Sequence, residues 1–295
     1  MSLLIQDASS ALIFSDLDGT LLDHHSYSYE AALSTLQTLA KMNVPVILNT
    51  SKTAAEVKVI HKELGLATPF IIENGAAIYM PKNAFAAKPK EAIWQDGYWV
   101  KTFASKRSHW LGIVAKLKER FAGQFEGFSN MSLERISEVT GLSNTDAAAA
   151  AKRLYGEPVL WTGTDANKTL FIEEARKLGA FPLVGGRFIH ICGDSNKGKA
   201  LTWLSKEYAR QRVNKGLTTK LSTIALGDGN NDIAMLEAAT IAVRIKSPVN
   251  PPPPLTRQDG VYTSTQYGPS GWRESIENII PELKNNNTNT GHGHG

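Results

Sequence analysis

The sequence is poor in cysteine and has no long apolar run, and both absences exclude classes of protein. Cys192 is the only cysteine among 295 residues, so no disulfide can form within the chain. No apolar run reaches the length that spans a bilayer, and the first residues, MSLLIQDASS, lack the basic and apolar regions of a secretory signal. A location in the reducing cytoplasm, without membrane attachment, is therefore expected.

The chain also lacks blocks of one charge. Its formal net charge is +4, and the Lys and Arg residues are scattered rather than interleaved with aromatic residues. Nucleic acid is therefore not an expected partner, whereas a small anionic substrate fits this charge. No segment implies a protein partner. With 42% hydrophobic residues, the chain can bury one large core or two smaller ones.

The clearest candidate site lies in the stretch ALIFSDLDGTLL, residues 11–22. Its apolar run predicts a buried strand, which ends in Asp16 and Asp18 beside a glycine. Two carboxylates this close repel each other unless a cation lies between them or one of them holds a proton. Oxygen ligands at a strand end suit Mg²⁺, which completes its coordination with substrate phosphate. A phosphoryl-transfer site is the first hypothesis.

Three more apolar runs end in polar residues. These runs and the groups that follow them are residues 44–48 with Thr50, residues 69–72 with Glu73-Asn74-Gly75, and residues 223–226 with Asp228 and Asp232. Helical spacing in residues 29–42 and 54–64 separates the first strands. These alternating elements predict a parallel sheet covered by helices, with the site at the carboxyl edge of its strands.

Several of these polar residues have a structural interpretation beside the functional one. The hydroxyl of Thr50 lies where it could cap a helix or help to hold a phosphate. Lys197 precedes a helix, where a lysine is either a solvated surface group or a compact positive charge that reaches phosphate. Asp232 either interacts with a helix dipole, holds Lys197 or completes a metal environment.

The regular pattern changes near Pro81, which predicts a second unit inserted into the first. Residues 83–185 contain helical segments and short strand-like runs, typical of an α+β insert. Its helices are expected at Ser105–Arg120, Ser132–Thr140, Thr145–Tyr155 and Asn167–Leu178. Residues 1–82 and 186–284 would form a discontinuous core whose last strand is Ile241–Ile245. Residues 285–295 contain only Asn, Thr, Gly and His and should be disordered.

Four short motifs occur in order at strand ends: DLDGT at 16–20, Thr50, Lys197-Gly198, and GDGNND at 227–232. Together they resemble the haloacid dehalogenase (HAD) superfamily of phosphohydrolases. The resemblance implies an α/β fold, with a Rossmann-like, three-layer, parallel-sheet core. It also implies that residues 83–185 form the type-two cap of that superfamily, which would determine substrate specificity.

The resemblance assigns chemical roles. Asp16 would attack phosphorus and form an aspartyl-phosphate, while Asp18 would protonate the leaving alkoxide and then activate water. Thr50 and Lys197 would bind the transferring phosphoryl group. The implied cofactor is Mg²⁺, held by Asp16, the backbone carbonyl of Asp18 and Asp228, with Asn231 and Asp232 as outer or additional ligands.

Longer stretches are similar to mannosyl-3-phosphoglycerate phosphatases, namely TSKT at 50–53, IENGAAIY at 72–79, VTGLS at 139–143, GGRFIH at 185–190 and DSNKGK at 194–199. This family releases mannosylglycerate, a compatible solute, so the resemblance implies a small phosphorylated sugar as substrate. Its anionic groups and hydroxyls need cations and hydrogen-bonding groups. The candidates are Lys52, Arg153 and Arg187 for the anions, and Glu157 and His190 for the hydroxyls.

These substrate candidates also have structural interpretations, and two rival functions stay open. Arg153 could be a solvated helix residue, Glu157 could merely pair with it, and His190 could be a satisfied sheet histidine. The enzyme could act on another sugar phosphate, such as glucosyl-3-phosphoglycerate, sucrose phosphate or a hexose phosphate. A non-catalytic sugar-phosphate-binding regulator is the alternative from another class.

Overall fold

The computed structural model describes residues 4–5, 7–185, 187–214 and 221–283. In chain order its strands are β1 (Ala11–Ser15), β2 (Val46–Asn49), β3 (Phe70–Ile72), β4 (Ala77–Pro81), β5 (Ile93–Gln95), β6 (Tyr98–Thr102), β7 (Phe125–Gly127), β8 (Glu157–Trp161), β9 (Leu183–Val184), β10 (Phe188–Ile191), β11 (Ser222–Gly227), β12 (Ile241–Lys246) and β13 (Val261–Tyr267). Its α-helices are α1 (Glu30–Lys41), α2 (Ala54–Glu63), α3 (Arg107–Arg120), α4 (Leu133–Thr140), α5 (Asn144–Ala150), α6 (Asp165–Lys177), α7 (Lys197–Val213), α8 (Ile233–Ala238) and α9 (Gly268–Ile279). The predicted disordered tail, residues 285–295, lies outside the described residues.

The larger sheet has nine strands in the order β13-β12-β11-β1-β2-β3-β4-β6-β5. Neighbours from β13 to β3 are parallel, and β4, β6 and β5 extend the sheet in antiparallel pairs. The strand β1 therefore lies between β11 and β2, and the carboxyl ends of these parallel strands meet at one edge. The predicted parallel sheet is confirmed, with an antiparallel extension.

The alternation of side chains along β1 explains why helices cover both faces of this sheet. Ile13 joins the apolar cluster beneath α1, α2 and α9, whereas Leu12 and Phe14 join the cluster beneath α7 and α8. All three are buried, and full burial of such a side chain contributes about 2 kcal/mol. A strand buried on both faces reads as a continuous apolar run. The expected three-layer α/β core is confirmed.

A second sheet is antiparallel, with four strands in the order β7-β8-β10-β9. The helices α3 and α6 pack on it around Trp110, Leu117 and Phe171. The helices α4 and α5 bury Ile136 and Ala147 in a smaller cluster. We refer to this second sheet with α3 to α6 as the cap.

The sheet topology moves both predicted boundaries of the insert at 83–185. The strands β5 and β6 begin after residue 82, yet β6 pairs with β4 in the larger sheet, with Tyr79 opposite Val100. β10 lies after residue 185, yet it pairs with β8 in the cap sheet. The reason is that the unpaired backbone groups along one edge of β4 form hydrogen bonds with β6, and those along one edge of β8 form hydrogen bonds with β10. Chain proximity alone does not determine which sheet a strand joins.

Two predicted elements are wrong. Ile241–Ile245 is not the last strand, because β13 follows it and pairs with β12 in parallel. β13 is an edge strand with mostly exposed polar residues, so it lacks an apolar pattern.

The helix expected at Thr145–Tyr155 ends at Ala150. The backbone N–H groups of Leu154 and Tyr155 instead bond to the carboxylate of Glu73, which offers the chain an alternative to further helix.

No helix among the described residues is both long enough and apolar enough to cross a membrane.

Trp272 in α9 is a fully buried side chain that connects this helix to the end of β1. Its Nε1 donates to Ser15 Oγ at 3.0 Å, and Ser15 Oγ donates to the carbonyl of Asp16 at 2.7 Å. We expect Trp272→Ala to lower the free energy of unfolding by about 3–5 kcal/mol, because it leaves a cavity and removes a buried donor. Denaturant unfolding measures this loss.

The matched control is Val59→Ala in α2, because Val59 is 56% exposed. It should change the free energy of unfolding by no more than about 0.5 kcal/mol. Losses of equal size in the two variants would mean that buried Trp272 stabilises the fold no more than an exposed side chain does.

Candidate active site

The loop after β1 carries the first acidic residues and approaches the loop after β11 closely. The backbone N–H of Asp16 donates to the carbonyl of Leu226 at 2.9 Å, which fixes the first loop residue to the neighbouring strand. Gly19 has φ +75°, and a Cβ there would lie 2.7 Å from Asp228 Oδ2. Only glycine combines this backbone conformation with so short an approach. The glycine of DLDGT therefore brings the two acidic loops together.

Lys197 lies between two carboxylates at the start of α7. Its Nζ is 2.7 Å from Asp16 Oδ1 and 2.6 Å from Asp232 Oδ1, and its side chain is fully buried. Burial by itself lowers the pKa of Lys197, but the two carboxylates outweigh burial and hold the pKa above its ordinary value. Lys197 is therefore a buried cation, and the interpretation of Lys197 as a solvated surface residue does not apply.

The helix start that carries Lys197 depends on two close contacts. A Cβ on Gly198 would lie 2.2 Å from the carbonyl oxygen of Ala234, so a glycine lets α7 approach α8. The side-chain amide of Asn49 donates to the carbonyl of Lys197 at 3.1 Å. Asn49 is buried at the end of β2, and sequence analysis did not assign it a role.

Asp16, Asp228 and Asp232 form a buried group in which one carboxylate oxygen from each residue lies within 4.8 Å of the other two. Burial and the neighbouring Asp16 carboxylate raise the pKa of Asp228 to about 6. Burial and Asp16 also raise the pKa of Asp232, while Lys197 acts in the opposite direction. Such crowding favours a bound cation.

The partners of these carboxylates differ. Asp232 Oδ1 accepts from Lys197, and its Oδ2 accepts from the backbone N–H groups of Asp228 and Gly229 at 3.1 and 3.0 Å. Asp228 lies at longer distances from its neighbours, 3.4 Å from Thr20 Oγ1 and 3.5 Å from Asn250 Nδ2, and a hydrogen-bonding interaction with Ser247 partly offsets the effect of burial on its pKa. The Asp232 carboxylate is thus held by a lysine and two backbone N–H groups, whereas no cationic side chain is paired with Asp228 among the ion pairs of the described residues.

Asp18 points toward the loop after β2. Its Oδ2 lies 2.9 Å from Lys52 Nζ, while its Oδ1 is buried and makes no hydrogen bond within the described residues. Lys52 also lies 3.7 Å from Glu56 and over the ring of Tyr27. Burial alone lowers the pKa of Lys52, but Asp18 and Glu56 outweigh it and raise the pKa. Lys52 thus brings a second positive charge to the site.

Thr50 lies in the same loop, where its backbone is held on both sides. Its N–H donates to Ile71 at 3.1 Å, and its carbonyl accepts from Asn74 at 2.9 Å. Its hydroxyl accepts from the N–H of Lys52 at 3.2 Å. The residue that caps α2 is Thr53, whose side chain and Glu56 form a capping box. The hydroxyl of Thr50 therefore shapes the loop and does not cap this helix.

The turn after β3, predicted as a polar strand end and as part of the stretch at 72–79, contacts the loop after β2, Asn231 and the residue before α7. Glu73, Asn74 and Gly75 all have positive φ, at 46°, 57° and 88°. Asn231 Nδ2 donates to Asn74 Oδ1 at 3.4 Å. A Cβ on Gly75 would lie 2.2 Å from the carbonyl oxygen of Asn196. An Asn-Gly pair one residue after an apolar run was the available signal for this turn.

The cap candidates fall into two groups. Arg153 reaches the core, where its Nη2 donates to the carbonyl of Ser51 at 2.8 Å. His190 lies near Arg153, and burial together with this positive charge lowers the pKa of His190 to about 3, so its ring is neutral at physiological pH. Arg153 therefore contacts the loop after β2, and His190 lies close enough to feel its charge.

The other two cap candidates bond within the cap. Glu157 is fully buried and accepts from Arg107 Nε and from the N–H of Ser129, both at 2.7 Å. Arg187 is exposed and donates to the last carbonyls of α4, Val139 and Thr140, at 3.1 and 2.9 Å. Thus Glu157 pairs with Arg107 rather than with Arg153, and Arg187 acts as a helix C-cap.

Known proteins were compared with the chain by sequence and by structure. The model of the haloacid dehalogenase-like hydrolase family matches residues 13–91 and 192–248. These two segments contain the acidic loops, Thr50 and Lys197.

Two curated relatives carry the same name, glucosyl-3-phosphoglycerate/mannosyl-3-phosphoglycerate phosphatase. The relative from Methanococcoides burtonii is 36% identical over 94% of this chain and 98% of its own length. The relative from Persephonella marina is 33% identical over 92% of this chain and 98% of its own length. Both likenesses extend through the cap.

Among solved structures, BT1666 from Bacteroides thetaiotaomicron, studied among the phosphatases of the HAD superfamily, has a TM-score of 0.61. It is 16% identical, and the match covers 94% of this chain and 96% of that protein. At this identity the likeness concerns the fold alone. The two relatives settle the classification, because they are 36% and 33% identical over 94% and 92% of this chain, and the family match agrees with them. The chain belongs to the haloacid dehalogenase-like hydrolase family, as a phosphatase.

Proposed function

We propose that this phosphatase is Mg²⁺-dependent, that it forms an aspartyl-phosphate on Asp16, and that it releases the glycosylglycerate from mannosyl-3-phosphoglycerate or its glucosyl counterpart. The observation that carries the proposal is the contact of 2.7 Å between Asp16 Oδ1 and the buried Lys197 Nζ. Asp16 also lies beside Asp228 in space, and Asp18 follows it two residues later in the sequence. A carboxylate next to a fixed cation is suited to attack an anionic phosphoryl group.

In the first step Asp16 attacks phosphorus, so that an Asp16 O–P bond forms while the bond to the leaving oxygen breaks. Asp18 gives its proton to this leaving alkoxide. In the second step Asp18 takes a proton from water, whose oxygen bonds to phosphorus while the Asp16 O–P bond breaks, so that inorganic phosphate leaves and the Asp16 carboxylate is regenerated. Lys197 offsets the charge that spreads over the phosphoryl oxygens in both steps.

The donor set fits Mg²⁺, because hard carboxylate oxygens are the ligands that this ion prefers. We assign Asp16 and Asp228 as its carboxylate ligands, together with the backbone carbonyl of Asp18. Asp232 is assigned to hold Lys197, because both of its oxygens accept hydrogen bonds from the protein. Asn231 supports this loop through Asn74. Bound Mg²⁺ would neutralise charge on the substrate phosphoryl group.

The names of the two relatives and the cations facing the cap support a glycosyl-3-phosphoglycerate substrate. Arg153 brings its guanidinium to the loop after β2, where Nη2 donates to the carbonyl of Ser51, so its positive charge can attract the substrate carboxylate. Lys52 adds a second cation, and the neutral ring of His190 suits sugar hydroxyls. Glu157 and Arg187 are not included, because their polar groups bond within the cap. The product of the mannosyl substrate would be the compatible solute mannosylglycerate.

Asp16→Asn tests the nucleophile. We expect it to lower Mg²⁺-dependent phosphate release by at least about 10⁴-fold, because the amide cannot form the acyl-phosphate bond. Circular dichroism should show the native fold. Asp165→Asn changes an exposed cap residue in the same chemical way and should retain full activity. Comparable turnover by the Asp16 variant would refute the assignment.

Asp228→Asn and Asp232→Asn separate a metal ligand from a residue that holds Lys197. Asp228→Asn should raise the Mg²⁺ concentration for half-maximal activity by at least about tenfold. Asp232→Asn should lower kcat by at least about tenfold while changing this concentration little. Isothermal calorimetry with Mg²⁺ gives a binding readout independent of activity. Equal weakening of Mg²⁺ binding in both variants would mean that Asp232 is also a ligand.

A substrate panel tests specificity. It contains mannosyl-3-phosphoglycerate, glucosyl-3-phosphoglycerate, sucrose phosphate and a hexose phosphate, and it measures kcat/KM for phosphate release. We expect the two glycosyl-3-phosphoglycerates to exceed the others by at least about 100-fold, because only they offer a carboxylate to Arg153 and Lys52. A sucrose or hexose phosphate that equals them would overturn the substrate proposal, and no release from any member would favour a binding protein.

A further inference from the structure

Glu73 occupies a backbone conformation that does not suit its residue type. It has φ 46° and is followed by Asn74 at φ 57° and Gly75 at φ 88°. A non-glycine residue in this region is strained unless its surroundings hold it there. The Glu73 carboxylate is also buried, and the chemical steps proposed above do not use it. The role of Glu73 is therefore inferred from the contacts of its carboxylate and its backbone.

The carboxylate holds three consecutive residues of the cap. Oε1 accepts from the N–H of Leu154 at 2.7 Å, and Oε2 accepts from the N–H of Tyr155 at 3.1 Å. Oε2 also lies 3.6 Å from Arg153 Nε. These three residues follow the end of α5, so a core side chain determines the path of the chain here. Because two N–H groups and a guanidinium converge on it, this carboxylate is suited to fix their positions.

The same turn fixes the loop after β2. The N–H of Glu73 donates to the carbonyl of Lys52 at 3.0 Å, and the N–H of Asn74 donates to the carbonyl of Thr50 at 2.9 Å. Arg153 Nη2 donates to the intervening carbonyl of Ser51 at 2.8 Å. Three successive carbonyls of this loop thus accept hydrogen bonds either from the turn or from the cap residue that the turn holds.

We infer that Glu73 is a positioning residue that couples the cap to the core: it sets Arg153 and the loop carrying Lys52 in register with each other. It thereby controls affinity for the carboxylate-bearing part of the substrate and leaves the phosphoryl-transfer step itself unchanged. The part of this inference that concerns substrate affinity rests on the proposed function, whereas the coupling itself does not.

The inference separates two groups of residues. Within the described residues, no hydrogen bond of Glu73 goes to Asp16, Lys197 or Asp232. A small phosphomonoester such as p-nitrophenyl phosphate needs only the residues of phosphoryl transfer, namely Asp16, Lys197 and Asp232. A glycosyl-3-phosphoglycerate also needs the cations that Glu73 positions. Loss of the carboxylate should therefore affect the two substrates differently.

The test compares Glu73→Gln with Glu174→Gln. Glu174 is a cap residue that pairs with Arg120 within the cap, so the control loses an ion pair without touching the core. We expect Glu73→Gln to raise KM for mannosyl-3-phosphoglycerate by about tenfold or more, because a hydrogen-bonded charge is lost. Its kcat for p-nitrophenyl phosphate should stay within about twofold of the unmutated value. The control should change neither.

Equal losses on both substrates, or no loss on either, would overturn the inference. Glu73→Gly guards against misfolding, because glycine suits the left-handed backbone while it removes the carboxylate. It should raise KM in the same selective way, and thermal unfolding should show a single cooperative transition.

Hydrogen exchange separates failure of this inference from failure of the proposed function. Without any substrate, the amides of Leu154 and Tyr155 should exchange faster in Glu73→Gln and not in Glu174→Gln. If the unmutated protein did not hydrolyse either glycosyl-3-phosphoglycerate, the proposed substrate would be wrong, and exchange alone would decide the coupling. Unchanged exchange at both amides would then refute it.

Discussion

The ion pairs of Lys197 with Asp16 and Asp232 are the contacts on which the rest of the site depends. Removing an ammonium group from water costs several kcal/mol, on the order of what two close carboxylates can offset, and here they lie at 2.7 and 2.6 Å. The three groups meet only if the ends of β1 and β11 are adjacent and α7 begins beside them. Gly198 permits this approach, since a Cβ there would overlap α8. The parallel sheet thus places one cation between two carboxylates that are far apart in the sequence.

In the proposed function, recognition uses a different set of contacts from catalysis. The acidic loops and Lys197 belong to the core, whereas Lys52 and Arg153 lie where the loop after β2 meets the cap, with His190 near Arg153. The turn at 73–75 touches both sets, because Asn74 contacts Asn231 while Glu73 holds the cap residues 153–155. The cap can therefore vary its substrate contacts while the catalytic carboxylates stay in place, as expected when function is carried by a site grafted on a fold.

Sequence reasoning reached the acidic residues because they lie in loops that follow apolar runs, and the ends of neighbouring parallel strands meet. The residue pattern left two interpretations of Lys197 open, and only the resemblance favoured the phosphate-binding one, since its burial depends on pairing with Asp16 and Asp232, which are distant in the sequence. The strand β13 was missed because an exposed edge strand carries no apolar pattern. The end of α5 and the role of Glu73 were missed for a shared reason: their contacts join residues about eighty positions apart, and helix propensity is easily overridden by such contacts.

The central claim is that Asp16 becomes the phosphorylated residue, and trapping the acyl phosphate tests it most directly. The protein is mixed with Mg²⁺ and mannosyl-3-phosphoglycerate, quenched during turnover, and reduced with borohydride, which converts an aspartyl-phosphate to homoserine. Mass spectrometry of the peptide that contains Asp16 should show homoserine at this position, and only when substrate and Mg²⁺ are both present. Undiminished phosphate release with no homoserine at position 16, or with homoserine at another aspartate, would contradict the account.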